Sequence, residues 1–329
     1  MAAPELAAGK FMPTGSGATS VTIDIMMPFY GSVDQFREAV LSVVGQSDPD
    51  WRLVVIDDCY PDLSAGEWLV SLGDERIEYR RNEVNLGINL NFQACIDLAV
   101  NEWVTIFGCD DVMLPGYVDT VARITRSHPR ATFVQPGVRV IDGGGKPVST
   151  LVDWTKDRYR PSIRGTFELS GEQLAVSLTR GNWMYFPSLC WRREALVRFG
   201  FRPDLSTVQD LALAIDLVFD GATLVVDDEP VFLYRRHAAS VSSWRAVEGS
   251  RFAEEGAFFE RIAREYGARG WKHARRAARN RFSSRLNAAS RLPAAAKARN
   301  PGAVATLLRY AFLPGRNRVS SGEQSGKGK

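Results

Sequence analysis

Residues 103–117, with the sequence WVTIFGCDDVMLPGY, decide how the rest of this chain is interpreted. The bulky apolar run 103–107 is typical of a buried strand, and it ends just before Gly108, Cys109 and the pair Asp110-Asp111. Two carboxylates at the end of a buried strand are costly to desolvate unless a cation or hydrogen-bond donors receive them. A hard cation such as Mg²⁺ or Mn²⁺, shared with the phosphates of a ligand, suits such oxygens. The structural alternative is a turn whose acids cap the helix predicted after Pro115-Gly116.

Strand-like and helix-like segments alternate before this stretch. Apolar runs at 21–28 and 51–56 and the stretch 76–80 predict strands, and segments between them have helical spacing. This alternation predicts right-handed crossovers and an α/β fold with a mostly parallel sheet flanked by helices. Ligands of such sheets bind at the carboxyl ends of the strands, so Tyr30, Asp57-Asp58 and Asp110-Asp111 should lie at one edge.

Composition places the chain among globular proteins. It has 329 residues, of which 45% are hydrophobic and 24% are charged, enough for one large α/β domain with an appendage. The four cysteines are widely spaced in apolar surroundings, which favours reduced thiols in a cytoplasmic protein. Residues 1–20 lack the pattern of a signal peptide and are expected to be disordered, and no apolar run is long enough to cross a membrane.

The net charge of +3 conceals an asymmetry along the chain. Residues 266–329 hold 15 Lys and Arg and a single acid, Glu323, whereas the preceding residues are acidic overall. The basic segment is either a solvated helix face packed on the main domain or a surface for anionic lipid at the inner face of a membrane. No nucleic-acid-binding module accompanies it, so nucleic acid is not an expected partner.

Four motifs, taken in order, resemble the family 2 glycosyltransferases of the GT-A fold. They are Pro28-Phe29-Tyr30, Val55-Ile56-Asp57-Asp58, Asn85-Leu86-Gly87 and Phe107-Gly108-Cys109-Asp110-Asp111. The resemblance covers about residues 21–240. The chain departs from the family at Gly108-Cys109, where many members carry an additional acid, and at Gly31 and Phe92-Gln93.

This resemblance implies a nucleotide-diphosphate sugar as donor, with UDP or dTDP favoured. It implies that Pro28, Tyr30 and Asp58 contact the base and that Asp110 lies near the ribose. Asp111 would hold a divalent metal, Mg²⁺ or Mn²⁺, on the diphosphate.

A candidate catalytic base lies at Asp210, at the start of a segment with buried-helix character. By resemblance, Gln209-Asp210 matches the family's Glu-Asp motif, whose Asp takes the proton of the acceptor hydroxyl. A carboxylate suits that task because it needs only to receive the proton as the new bond forms. The structural alternative is a favourable interaction between Asp210 and the helix dipole.

Two further sets of residues complete the predicted site. Arg235, Arg236 and His237 resemble the family's loop that meets the leaving diphosphate, where cationic donors stabilise developing charge; a structural histidine is the alternative. Trp183, in an alternation of aromatic and polar residues at 181–188, is either a contact for the acceptor or part of a core strand.

The sequence thus predicts a cytoplasmic, inverting glycosyltransferase that acts on a glycan, lipid-linked or small-molecule acceptor in polysaccharide or glycoconjugate synthesis. Residues 21–245 would form the GT-A domain, 246–315 a basic helical extension and 316–329 a disordered tail. Two alternatives stay open: a non-catalytic protein that binds nucleotide sugars, and a sugar nucleotidyltransferase. A nucleotidyltransferase would need a Gly-rich, basic loop after the first strand to hold a triphosphate, and this sequence has none there.

Overall fold

Four parallel strands form one half of the central sheet. The computed structural model describes residues 21–162, 164–236 and 250–312. The strands are β1 (Ile23–Phe29), β2 (Trp51–Asp57), β3 (Ile77–Arg81) and β4 (Trp103–Ile106), in the order β3-β2-β1-β4. Their parallel pairing confirms the predicted topology of this half. Because β1 continues through Phe29, Pro28 lies inside the strand and not in the turn after it.

Helices connect these strands, namely α1 (Val33–Val44), α2 (Ser64–Ser71) and α3 (Ile88–Leu98). α1 begins after Ser32, whose hydroxyl accepts a hydrogen bond from the amide of Gln35. One face of α1 carries Phe36, Ala39, Val40 and Val43, and all four are fully buried in a core that includes β1 and β2. This spacing of three and four residues is what forms an apolar stripe on a helix.

The other half of the sheet mixes strand directions. Its strands are β5 (Val112–Met113), β6 (Phe133–Ile141), β7 (Phe167–Ser170), β8 (Cys190–Arg192) and β9 (Thr223–Arg235). The order continues β4-β8-β6-β9-β5, and β7 also pairs with β9. Since β8 is antiparallel to both β4 and β6, β6 and β9 run in the same direction as β1–β4. Within the described ranges six strands share one direction, which confirms a mostly parallel sheet.

β9 is a continuous strand of 13 residues that runs through Asp228-Glu229-Pro230, although that composition is typical of a turn. The strand accommodates its proline at an irregularity in the pairing. Pro230 pairs with Gly137 of β6, and the register shifts on both sides of that glycine. A Cβ at Gly137 would lie 2.5 Å from the carbonyl oxygen of Glu229, so glycine permits this close approach.

The remaining helices surround the second half of the sheet. The central ones are α4 (Tyr117–Ser127), α5 (Leu151–Tyr159), α6 (Gly171–Arg180), α7 (Arg193–Phe199) and α8 (Gln209–Phe219). Four more follow: α9 (Ser250–Ala268), α10 (Lys272–Asn280), α11 (Phe282–Lys297) and α12 (Pro301–Phe312). The predicted helix after Pro115-Gly116 is α4, and the predicted helical character of the extension is confirmed across 250–312.

The extension shares a core with the sheet. Phe258, Ile262 and Tyr266 of α9 belong to the same buried cluster as residues of β4, β6 and α8. The ring of Phe219 at the end of α8 lies 5.3 Å from that of Tyr266. A second small core joins α9, α11 and α12 around Phe252, Leu307 and Tyr310. At least α9 and α10 are therefore integral to the fold, while the predicted boundary at 245/246 lies outside the described residues, as do both predicted disordered tails.

In the described ranges, no helix combines the length and the apolar character that crossing a bilayer requires.

Candidate active site

The pair Asp110-Asp111 lies just beyond β4, and Asp111 is 1% exposed. Its Oδ1 accepts a hydrogen bond of 2.8 Å from the amide of Arg235, at the end of β9. Gly108 makes this turn possible, because a Cβ at that position would lie 2.5 Å from Oδ2 of Asp111. The carboxylate is thus held where the ends of β4 and β9 meet.

The negative charge of the Asp111 carboxylate is only partly balanced by its neighbours. Burial and the neighbouring charge of Asp110 raise the pKa of Asp111 well above its ordinary value. The amide of Arg235 and the charges of Arg235 and Arg236 offset only part of this effect. A bound cation would supply what is lacking, since a nearby positive charge favours the ionised carboxylate.

A divalent metal fits this pair of acids only with help from a ligand. Among the described residues, no three His, Cys, Asp or Glu side chains are grouped closely enough to hold a metal ion. Mg²⁺ is commonly bound through one or two carboxylates together with substrate phosphates, and the pair Asp110-Asp111 supplies that number of acids.

Arg235 anchors this region. Its side chain is 2% exposed. Nε donates to the carbonyl oxygen of Asp110 at 2.6 Å, and Nη2 donates to Oε2 of Glu38 at 2.6 Å. Nη1 donates to the carbonyl oxygens of Asp142 and Gly143, each at 3.3 Å. The predicted contact of Arg235 with the donor diphosphate is therefore corrected to an anchoring role, because its guanidinium is buried and bonded to the protein.

Arg236 is more accessible and is paired with Asp153 of α5. Its Nε donates to Oδ1 of Asp153 at 3.1 Å, and its side chain keeps 26% of its surface exposed. Burial raises the pKa of Asp153, but hydrogen bonds from Arg236 and Thr150 outweigh burial and lower it overall. Asp153 is therefore held as a charged partner. His237 lies outside the described residues.

At the neighbouring strand end, Tyr30 and Asp58 differ in exposure. Tyr30 is 54% exposed, and its ring meets the edge of the Tyr60 ring at 5.2 Å, so both rings could be reached by a planar ligand. Asp58 is buried, and its carboxylate accepts hydrogen bonds from Nδ2 of Asn82 and from the amides of Leu86 and Gly87. Asp58 thus fixes the Asn85-Leu86-Gly87 loop, whatever it contributes to a ligand.

Asp210 lies in the first turn of α8 and is oriented by two donors. Nδ2 of Asn182 donates to Oδ2 at 3.0 Å, and the amide of Leu211 donates to Oδ1 at 2.7 Å. Two acceptors beside it, Oδ1 of Asn182 and Oε1 of Gln209, are buried and have no hydrogen-bond partner among the described residues. Buried acceptors normally find a donor, and a hydroxyl-bearing ligand would provide one.

The two ends of the site converge on Tyr234. Burial raises the pKa of its hydroxyl to about 12, and the charges of Asp111, Asp110 and Asp210 act in the same direction. The ring of Tyr234 lies 5.1 Å from that of Tyr185, and the next residue, Arg235, donates its amide to Asp111. The segment 182–185 also carries Asn182, the donor to Asp210, so direct contacts connect residues 110–111, 182–185, 210 and 234–236.

Lys156 of α5 faces the same site. Its Nζ donates to the carbonyl oxygen of Met184 and lies 4.2 Å from the centre of the Tyr185 ring. Burial and the charge of Arg236 lower the pKa of Lys156 to about 8, although Asp210 and Asp153 oppose this shift. An ammonium group near the acids would attract an anionic ligand.

Comparison with known families identifies the chain. The family model described as "Glycosyl transferase family 2" matches residues 24–193, just over half of the sequence. The chain belongs to this family. Its motifs at 28–30, 55–58, 85–87 and 107–111 all lie inside the match, so this family 2 glycosyltransferase is an enzyme of the class that the sequence predicted.

Relatives and solved structures agree with this assignment. The glycosyltransferase is 25% identical over 240 residues to MT1568 of Mycobacterium tuberculosis, covering 70% of this chain and 71% of that protein. It is 23% identical over 238 residues to TuaG of Bacillus subtilis, provisionally named a teichuronic acid biosynthesis glycosyltransferase, covering 70% of this chain and 86% of TuaG.

Two solved structures share the fold. S. aureus TarS 1–349 in complex with UDP-GlcNAc gives a TM-score of 0.55 at 13% identity, covering 88% of this chain and 91% of TarS. Mannosyltransferase PcManGT from Pyrobaculum calidifontis, in complex with GDP-Man and Mn²⁺, gives 0.56 at 18% identity, covering 90% and 81%. Both likenesses confirm the GT-A fold of this glycosyltransferase.

The structure of the glycosyltransferase also argues against the predicted contact of Trp183 with an acceptor. The side chain of Trp183 is fully buried, and its Nε1 donates to Oγ of Ser177 at 3.0 Å. Trp183 therefore belongs to the core and cannot stack on an acceptor sugar. The polar residue before it, Asn182, is the one that reaches Asp210.

Sequence reasoning also missed the support that α9 gives to the candidate base. The carboxylate of Glu254 accepts hydrogen bonds from the amides of Ser206, Thr207 and Val208, the shortest being 2.7 Å from Thr207. These amides precede α8, so Glu254 fixes the loop that delivers Asp210. No motif or periodic pattern in the sequence links Glu254 to the loop before α8.

Proposed function

We propose that this glycosyltransferase moves a sugar from a nucleotide-diphosphate sugar to an acceptor hydroxyl in one displacement, with inversion at the anomeric carbon. The observation that carries the proposal is that direct contacts link the acid pair to the candidate base. Arg235 donates to Asp111, the ring of the neighbouring Tyr234 lies 5.1 Å from that of Tyr185, and Asn182 donates to Asp210. A donor diphosphate and an acceptor hydroxyl need such groups within the length of one sugar.

The donor is proposed to lie along the carboxyl ends of β1, β2 and β4. Tyr30, Pro28 and Asp58 would contact the base, and Asp110 the ribose. A uracil or thymine base is proposed, in line with the UDP-GlcNAc bound by TarS. Asp111, with Asp110, would hold Mg²⁺ or Mn²⁺, as Mn²⁺ accompanies GDP-Man in PcManGT.

When bound, the metal would neutralise negative charge on the diphosphate. Arg236 and Lys156 are proposed to add positive charge on the same side of the donor, and His237 keeps the contact with the diphosphate that the family resemblance implies. Arg235 contributes indirectly, because it holds the main chain of Asp110 and the carboxylate of Asp111 in place.

Asp210 is proposed to take the proton of the attacking hydroxyl. Asn182 orients one carboxylate oxygen, and the unpartnered Oδ1 of Asn182 and Oε1 of Gln209 would accept hydrogen bonds from neighbouring hydroxyls of the acceptor. A hydroxyl-rich acceptor such as a growing polysaccharide provides these donors, which agrees with the polysaccharide-related name of TuaG.

The test separates donor binding from transfer. Asp210→Asn should leave metal-dependent binding of the donor, measured by calorimetry, within about twofold of wild type, while glycosyl transfer falls about 10³-fold because the general base is lost. Transfer is followed as nucleoside diphosphate released from a panel of nucleotide sugars mixed with glycan acceptors. Asp220→Asn, at the other end of α8, is the matched control and should retain activity.

An Asp210→Asn enzyme that transfers sugar at the wild-type rate would remove Asp210 from the mechanism. A wild-type protein that binds donor but releases no nucleoside diphosphate with any acceptor would favour the non-catalytic alternative.

A further inference from the structure

A groove lies on the opposite side of α5 from the proposed active site. α5, β7, α6 and the start of α11 enclose a volume of about 760 Å³. Its most prominent apolar side chains are Trp154, Phe167, Phe282 and Leu286. A volume of this size is comparable to that of a ligand-binding cleft.

The apolar residues of this groove are unusually exposed. Trp154 is 61% exposed, Phe282 is 67%, Leu286 is 57% and Phe167 is 41%. Single apolar residues on a surface need no explanation, whereas several around one groove indicate an interaction site. Because these side chains come from three separate elements, folding itself brings them together.

α5 has two distinct faces. Asp153 and Lys156 point toward the active site, where they contact Arg236 and the carbonyl oxygen of Met184. Trp154 and Arg158 line the groove instead. The groove therefore adjoins the proposed active site through one helix without being part of it.

The far wall of the groove is fixed to the protein. Oγ of Ser283, in the first turn of α11, donates a hydrogen bond of 2.6 Å to the carbonyl oxygen of Arg180 at the end of α6. This contact places Phe282 and Leu286 opposite α5. The exposed aromatic residue at the start of α11 is thus held in position by a defined contact.

The charge of the groove selects among occupants. Arg158 and Arg180 line it, and the fourteen described lining residues include no Asp or Glu. α10–α12 belong to the segment 266–329, which has 15 basic residues and one acid. A partner that carries both negative charge and apolar groups would complement the basic and apolar side chains of the groove. The aliphatic lining, including Leu286, Leu169 and Val176, suits acyl chains better than stacked bases.

We propose that this groove docks the protein onto the surface of an anionic phospholipid bilayer. Trp154, Phe282 and Leu286 enter the boundary between headgroups and acyl chains, where amphipathic aromatic residues are favoured. Arg158 and Arg180 contact the lipid phosphates, and the basic residues of α10–α12 add attraction to the charged surface. Docking here would place α5 between the bilayer and the proposed active site.

The experiment is flotation of the full-length protein with vesicles. Wild type should float with phosphatidylcholine vesicles that contain about 30% phosphatidylglycerol and remain unbound with phosphatidylcholine alone. The triple variant Trp154→Ser/Phe282→Ser/Leu286→Ser should lose about 10-fold or more in vesicle affinity. The matched control Val70→Ser/Val84→Ser/Val100→Ser removes three other exposed apolar side chains outside the groove and should bind like wild type.

A second pair of variants tests the charge. Arg158→Gln/Arg180→Gln should weaken binding to the anionic vesicles several-fold, whereas Arg126→Gln/Arg130→Gln, at the end of α4, should not. Thermal melting of every variant checks that the fold is retained, which is expected because the substituted side chains are exposed.

Three results would overturn the proposal: no flotation of wild type, equal flotation of the triple variant, or equal binding to neutral vesicles. Binding of a single-stranded oligonucleotide that is lost in the triple variant, without flotation, would assign the groove to nucleic acid instead. Nucleoside diphosphate release in lipid-free buffer should be unchanged in the triple variant. Flotation is therefore judged independently of the proposed transfer reaction.

Discussion

Two Asp-Asp pairs lie at the carboxyl ends of the two strands that flank β1. Asp57-Asp58 is at the end of β2, and Asp110-Asp111 follows β4. Asp57, Asp58 and Asp111 are all buried to 3% exposure or less. Asp57 receives the amide of Tyr60, the hydroxyl of Tyr79 and the guanidinium of Arg81. Asp58 receives three further donors from 82–87. Within the described ranges, Asp111 receives one main-chain amide.

Burial alone therefore does not distinguish the two pairs, whereas the number of protein donors does. A buried carboxylate with several protein donors has its charge stabilised by the fold. A buried carboxylate with one donor and an acidic neighbour retains an unfavourable charge, and the raised pKa of Asp111 expresses this. Such a group is a candidate to bind a cation, although structural networks also shift pKa values.

Converting one acid of each pair to its amide tests the difference between the two pairs most directly. Asp111→Asn should lower transfer by about 10²-fold to 10³-fold through loss of metal-dependent donor binding, with little loss of stability. Asp58→Asn should instead lower the free energy of unfolding by about 2–4 kcal/mol, because donors at 82–87 lose a charged acceptor. Chemical denaturation and calorimetry with UDP-sugar and Mn²⁺ measure the two effects.

Loss of stability in Asp111→Asn together with wild-type stability in Asp58→Asn would show that donor counts do not distinguish the pairs. Manganese titration of both variants without nucleotide is a useful control, since it isolates the contribution of the acids themselves.

Asp210 accepts two hydrogen bonds, a number between those of Asp111 and Asp58. Asn182→Ala should lower kcat about 10-fold to 100-fold with donor affinity unchanged, because Asp210 loses its orienting hydrogen bond. Trp183→Phe, which alters the adjacent core residue, should lower stability and leave the KM for acceptor unchanged. Steady-state kinetics measures both. A raised acceptor KM in Trp183→Phe alone would restore the discarded acceptor contact.

Glu254, like Asp58, accepts hydrogen bonds from several amides, but the proposed function gives Glu254 no contact with a ligand. Glu254→Gln should lower the free energy of unfolding by about 1–2 kcal/mol, since amide donors lose a charged acceptor. Glu260→Gln, on the same helix, is the control. If Glu254→Gln melts like wild type, the extension does not fix the loop before α8.

The smallest expected effect is a change of stability with pH that arises from Lys156. The pKa of Lys156 is lowered from 10.5 to about 8 in the folded protein, so the unfolded chain binds more protons between these values. Stability due to this group therefore rises as pH increases from about 8 to about 10.5. The melting temperature of wild type minus that of Lys156→Met should increase over this window.

Local patterns in the sequence predicted the parts of the fold that depend on local chemistry. Strands β1, β2 and β4 are short apolar runs whose ends carry polar motifs, so both the topology and the edge that holds Asp58 and Asp111 followed from them. The continuity of β9 did not, because Asp228-Glu229-Pro230 has the composition of a turn. A glycine on a different strand, Gly137, is what allows those residues to remain paired.

The contacts that complete the candidate site were beyond the sequence for a related reason. Asn182 and Asp210 are 28 positions apart, and Glu254 and Ser206 are 48 apart. No periodic pattern links such pairs, and polar residues outside known motifs are ordinary surface residues by default. Trp183 was assigned to the wrong environment because alternating aromatic and polar residues describe a core strand and a sugar platform equally well.

Arg235 has a consequence for how the protein is made. Its amide reaches back 124 positions to Asp111, and its guanidinium reaches back 197 positions to Glu38. Contacts over such separations form late, because the intervening chain must be ordered first. During synthesis from the amino terminus, the acid pair therefore lacks its partner until β9 has emerged. The glycosyltransferase acquires a complete donor edge only once most of its chain has been translated.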